Sequence, residues 1–211
     1  MKNNTITGIF GILTFFMFLF GFTIFLLVIN PSIFTATDGF LIVGFNVSMM
    51  EGLFWAKYFN YLLVGTLLIS FCISLLKNTN NRGIDFTGKI LLLLSGLIYI
   101  SFAFTELDYE GEVDDWSLLF YISRVILILL LGSIGFLLIS DQFHLINNNK
   151  IYKHILMIVG IMIIINGTLE LINHGQYPTY AGLFSWFLYF FGMGIIGFSI
   201  LRQPEYNNPQ N

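Results

Sequence analysis

A helix rises 1.5 Å per residue, so about 20 apolar residues in a row cross the roughly 30 Å of hydrocarbon in a bilayer. Six stretches of this chain approach or exceed that length without a proline: Ile6–Ile29, Leu53–Leu76, Ile90–Leu107, Ser117–Ser140, Ile155–Ile172 and Leu183–Leu201. All four prolines (Pro31, Pro178, Pro204 and Pro209) fall between or beyond these runs. That pattern argues against a transporter built on broken helices, whose unwound midpoints carry Gly/Pro interruptions. The first run follows Lys2, as a secretory signal would. It is too long for a signal's apolar region and no small-x-small cleavage site closes it, so it reads as a retained helix.

Composition agrees with this reading. Hydrophobic residues make up 56% of the 211 positions and charged residues only 10%, where a soluble domain carries about a quarter. The formal net charge of -3 gives no basic face for a nucleic acid. A single cysteine, Cys72, excludes an intramolecular disulfide framework and any multi-cysteine metal or iron–sulfur centre.

Orientation follows from the cations, because Lys and Arg in short loops stay on the cytoplasmic side. Lys2, Lys77, Arg82, Lys89, Lys150, Lys153 and Arg202 flank the runs at the N-terminus, in the second and fourth loops and at the C-terminus. The remaining loops hold Asp38, Glu51 and the acidic run Glu106, Asp108, Glu110, Glu112, Asp114 and Asp115. The expectation is an all-α integral membrane protein: a bundle of six transmembrane helices, one domain over residues 1–211, with both termini cytoplasmic. Between the first two spans, residues 31–52 place Asp38-Gly39 between β-prone stretches, a hairpin signal that predicts an external flap. An amphipathic segment at the interface is the alternative.

A charge in hydrocarbon costs at least roughly 2.5–3.5 kcal/mol, so each one must face the bundle interior, water or a partner. Counted from the outer ends of the spans, Lys57 lies about 7 Å deep, Glu170 about 6 Å and Arg124 about 12 Å, with Glu106 near the interface. Asn60 and Asn166 fall near the level of Arg124 by the same count. Tyr121 stands one turn above Arg124, and Asn166, Glu170 and His174 form one helical stripe. With Lys89 assigned to the loop, the inner half holds no charged residue at comparable depth. These eight residues (Lys57, Asn60, Glu106, Tyr121, Arg124, Asn166, Glu170 and His174) define a polar, charge-balanced pocket open to the outer side. The plainer alternative pairs Arg124 with Glu170 to lock two helices while Lys57 and Glu106 reach the headgroups.

Catalytic signatures are missing. There is no G-x-S-x-G elbow, H-E-x-x-H pair or phosphate-cradling loop, and His144 and His154 lie on the opposite side from His174, which weakens a metal site. No metal or other cofactor is expected. Trp55, Trp116 and Trp186 stand near outer helix ends, as an aromatic belt requires. No two glycines are four apart, so the GxxxG dimerisation motif is absent, although Gly132, Gly135, Gly192, Gly194 and Gly197 allow close helix approach within the bundle.

The segment GLFWAKYFNYLLVGTLLISFCISLLK, the third-span end FAFTELD and the last-span opening GLFSWFLYFFGMGIIGFSILR resemble the prokaryotic six-span family known as domain of unknown function 998. The resemblance covers all six spans. Where that family shows a His early in the fourth span, this chain has Ser123-Arg124, and the family's Pro before the Asp is absent. The resemblance implies the architecture and a prokaryotic cell membrane, and carries no activity. From the residues, the expected function is binding or translocation of a small polar or amphipathic ligand, with membrane lipid as a partner. An accessory subunit held by a membrane-protein partner and a lipid-acting enzyme using Glu170 and His174 are the alternatives.

Overall fold

The computed structural model describes residues 3–24, 34–37, 40–43, 55–78, 83–104, 115–147, 150–172 and 180–202, with side-chain surroundings for most of them. Six helices follow one another: α1 (Asn3–Ile24), α2 (Gly65–Asn78), α3 (Gly83–Ser101), α4 (Asp115–Asn147), α5 (Lys150–Ile172) and α6 (Tyr180–Leu201). A π-helical segment, Trp55–Val64, leads into α2, and a 3-10 turn, Phe102–Phe104, ends α3. With these extensions, six helices are long and apolar enough to cross a membrane. A short antiparallel ribbon, β1 (Phe34–Thr37) and β2 (Phe40–Val43), pairs Phe34 with Val43 and Thr37 with Phe40 across Asp38-Gly39. The rest of the 31–52 segment lies outside the described residues.

Several helices differ from their apolar runs at the ends. α3 begins at Gly83 and α5 at Lys150, each ahead of the first residue of its apolar run, and α4 continues to Asn147. Hydropathy marks where a helix is apolar, whereas its backbone hydrogen bonds continue until a breaker or a cap stops them. Gly83, at φ 56°, occupies the left-handed region that glycine tolerates, and it starts α3 sharply after the basic loop.

Each helix packs on its neighbours in the chain and α6 returns against α1, closing a ring; α4 also touches α6. We refer to the end of the bundle bearing the acidic loops as the acidic end and the other as the basic end. Large aromatic and aliphatic side chains fill the centre: Phe71, Leu68, Leu92, Phe136, Tyr189, Phe190 and Ile196 are fully buried. Buried with them are small polar residues, Thr7, Thr14, Ser95, Ser133, Ser185 and Ser199, while Leu13, Phe16, Leu97, Leu127, Ile158 and Phe184 face outward. In water this order would be costly. Against lipid it is favourable, because lipid tails are as apolar as Leu and helices associate through small residues and hydrogen bonds instead.

The hydroxyls are satisfied locally. Thr14 donates to the Phe10 carbonyl at 2.7 Å and Ser199 to Ile196 at 2.8 Å. Ser95 donates to Leu92 at 2.7 Å, so its oxygen accepts from the Tyr189 hydroxyl at 2.7 Å, tying α3 to α6 in the core. Thr7 and Ser74 join α1 to α2 at 2.6 Å.

Glycines set the closest approaches. A Cβ on Gly197 would lie 2.6 Å from the Gly8 carbonyl oxygen and 2.9 Å from the Gly11 Cα, so α1 and α6 meet backbone to backbone. Gly88 and Gly135 do the same for α3 and α4, where a Cβ on either would lie 3.0 Å from the other's carbonyl oxygen. Contact of this kind needs only small residues at the crossing, and GxxxG is one way among several to supply them.

Candidate functional site

The site is built where α3 and α4 part at the acidic end. Arg124 lies two turns into the apolar part of α4, part-buried, with its guanidinium carbon 5.5 Å from the centre of the Phe102 ring. Phe102 is held in turn by Tyr61 at 5.4 Å between ring centres, and Tyr61 by Tyr99 at 5.5 Å. The positive group therefore rests on the edge of an aromatic layer, which continues inward through Tyr99 to Trp186 and Phe190.

Beside Arg124 an open groove of about 540 Å³ is lined by Ile98, Ser101, Ser123, Arg124 and Leu127. A volume of a few hundred Å³ is that of a small-molecule site. Its orientation is informative. Ser123 and Leu127 are exposed on the surface of α4, and Leu94 and Leu97 on that of α3, so the groove opens on the outside of the bundle and not along its axis. Ser101 donates its hydroxyl proton to the Ile98 carbonyl at 2.7 Å, which leaves its oxygen as an acceptor. The groove thus offers a delocalised cation, a hydroxyl acceptor, a further hydroxyl on Ser123 and an apolar floor.

The eight residues singled out in the sequence divide into three groups. Arg124, Asn60 and Asn166 are described with their side chains. Asn60 accepts a hydrogen bond from the Tyr99 hydroxyl at 3.3 Å and so belongs to the aromatic layer between α2 and α3. Asn166 is buried in α5, 8% exposed, and its amide nitrogen meets no hydrogen-bond partner among the described residues. Lys57, Tyr121 and Glu170 lie on described helices with their side chains outside the described residues, and Glu106 and His174 lie outside them altogether. Among the described residues no three of His, Cys, Asp and Glu come together as metal ligands would.

One expectation is corrected. Lys89 is a helix residue and not a loop residue: it sits six positions into α3, about 9 Å from the helix start, and is fully buried. Its ammonium meets the carboxylate of Asp85 one turn earlier at 2.5 Å, and Asp85 is only 13% exposed. The basic half of the bundle therefore does contain charge at depth. The sequence signal was there, since Asp85 and Lys89 have the i, i+4 spacing of a helical pair. Counting the span from the first uninterrupted apolar residue concealed it. No protein-family model, curated protein or solved structure matches the chain.

Proposed function

We propose that this chain is a multi-pass protein of the cell membrane that binds an anionic lipid in the α3–α4 groove, with both termini cytoplasmic and the groove in the outer leaflet. The observation that carries the reading is the groove itself: Arg124, Ser101 and Ser123 beside an apolar wall of Ile98 and Leu127, opening outward among exposed leucines. A soluble polar solute reaching the bundle from water has no reason to meet a surface of that kind. A lipid in the surrounding bilayer meets it directly, headgroup toward the guanidinium and chains along the seam. The guanidinium supports phosphate recognition because its planar donors match a phosphate's oxygens. Ser101, as an acceptor, favours a headgroup that also carries a hydroxyl or ammonium donor.

The sidedness rests on the basic loops, and the six spans in this order are what the resemblance to the domain of unknown function 998 family implies; that kinship and a prokaryotic source are part of the proposal. Lys57, Glu106, Tyr121, Glu170 and His174 join it as groups whose sequence positions set them at the same end.

Native mass spectrometry of the protein extracted from vesicles of phosphatidylglycerol and phosphatidylcholine tests it. The protein retains phosphatidylglycerol selectively, and Arg124→Leu lowers that retention about tenfold, the loss of one charge-assisted contact of about 1.4 kcal/mol. Lys57→Leu lowers it less. Equal retention of the two lipids, or an Arg124→Leu protein that keeps its phosphatidylglycerol, overturns the reading.

A further inference from the structure

Hydroxyls in α4 and α5 find a carbonyl one turn back: Ser133 donates to Leu130 at 2.9 Å, Ser140 to Leu137 at 2.7 Å and Thr168 to Ile164 at 2.8 Å. The Asn166 amide has no such partner. Asn166 continues the buried line Leu156, Val159 and Ile163 of α5, and its enclosed amide nitrogen meets no acceptor among the described residues. An amide N–H left unpaired in low dielectric loses its solvation outright, so it calls for an acceptor from outside the chain. The neighbouring residue shows how one arrives. Gly160 and Gly167 are seven positions apart, close to two full turns, so they share one face of α5 about 10 Å apart. At Gly160 a Cβ would lie 3.0 Å from the Leu137 side chain and 3.0 Å from the Ser133 carbonyl oxygen of α4. At Gly167 a Cβ would meet no atom within 4 Å among the described residues. The α4–α5 seam is therefore shut toward the basic end and parted toward the acidic end. Gly167 is only half-buried and Asn166 keeps 8% of its surface accessible, so space of at least water size touches both.

We propose that the parted seam is a second lipid site, in which the ester carbonyl of a neutral lipid accepts the Asn166 Nδ2–H bond and its acyl chain crosses Gly167. The chemistry narrows the occupant. It must accept a hydrogen bond, which excludes a bare hydrocarbon chain. A phosphate would bring a charge, and α5 carries no cation within two turns of Asn166, while the Arg124 guanidinium of α4 rests on Phe102 on the side of α3. A water needs two or more polar partners to stay in such a place, whereas an ester needs one donor and brings its own apolar chain. What meets the seam is lipid-soluble, because Leu130 of α4 and Ile161, Ile165 and Leu169 of α5 are exposed. The site lies on the other flank of α4 from the α3–α4 groove and does not depend on it.

The test reconstitutes the full chain in vesicles of ether-linked phosphatidylcholine, which has no ester carbonyl, doped with diacylglycerol or with dialkylglycerol of the same chains. Neither probe carries a phosphate, which keeps the Arg124 groove out of the comparison. Native mass spectrometry of the wild-type protein shows diacylglycerol retained about fivefold over dialkylglycerol, the factor that one neutral hydrogen bond supplies. Asn166→Leu elutes as a folded species and retains the two equally. Gly167→Leu, whose side chain enters the open seam, lowers the retention of both. Equal retention of ester and ether by the wild-type protein overturns the proposal without need of either variant, and so does retention of neither. An Asn166→Leu protein that keeps the preference, or a Gly167→Leu protein with unchanged retention, overturns it as well.

Discussion

The two ends of the bundle are held in opposite ways. At the basic end backbone meets backbone, Gly8 with Gly197 and Gly88 with Gly135, and the one charged pair described there is sealed inside. At the acidic end rings fill the gaps: Gly21 of α1 faces the Phe59 ring, where a Cβ would lie 2.8 Å from it, and Arg124 rests on Phe102 beside an open groove. Backbone cannot yield to a new atom, whereas a ring at the end of a side chain can turn. The difference teaches that rigidity and openness are divided along the axis of the bundle: one end fixes the helices, and the other leaves an open groove.

The sharpest way to break this contrast is to uncouple the sealed pair. Asp85→Leu alone takes the paired carboxylate from the buried Lys89 ammonium and lowers stability by about 3–5 kcal/mol, and adding Lys89→Met restores most of the loss, read by thermal unfolding in detergent. A double variant as unstable as the single one would mean that the site tolerates no apolar filling. Next in size is Gly197→Ala, which presses a methyl onto the Gly8 carbonyl and costs about 1–3 kcal/mol. Gly21→Ala, against a movable ring, costs less than Gly197→Ala in the same assay; the reverse order would dissolve the comparison.

How much of this was legible in the sequence depends on the kind of signal. Six spans could be read because each writes itself as one long apolar run bounded by charge or proline. Lys89 was not read as a membrane residue, because its burial depends on which face of α3 turns inward, and an apolar count has no faces. Asn60 was placed only by its depth, counted at 1.5 Å per residue, which carries no facing direction, and it lies in a π-helical segment, whose i→i+5 hydrogen bonds turn each residue through a smaller angle than an α-helix does. Its partner Tyr99 therefore could not be deduced. Arg124 was singled out by its depth in the fourth span, but Ile98 and Ser101, which line the groove beside it, come from another helix, and no spacing within α4 reveals them.

Smaller effects sharpen the comparison further. Tyr189→Phe removes the hydroxyl that joins α6 to Ser95 midway between the two ends and costs about 1 kcal/mol, measured by the same unfolding assay. Arg124→Leu changes stability least of all, by under about 1 kcal/mol, because its side chain is part-buried at the rim of an open groove and not enclosed in the core. If that variant unfolded as readily as Asp85→Leu, Arg124 would be a structural bolt and the groove beside it incidental.

The wide turn from Trp55 to Val64 also has a geometric consequence. In a π-helix the surplus residue is not fixed to one position: relocating it by a single step swaps one set of carbonyl partners for the next and swivels everything on its far side. Such a step would carry Asn60 away from Tyr99 while Gly65 stayed pressed against Ile100. The wide turn thus stands where the aromatic layer meets the groove, between the Asn60–Tyr99 hydrogen bond and the Gly65–Ile100 contact.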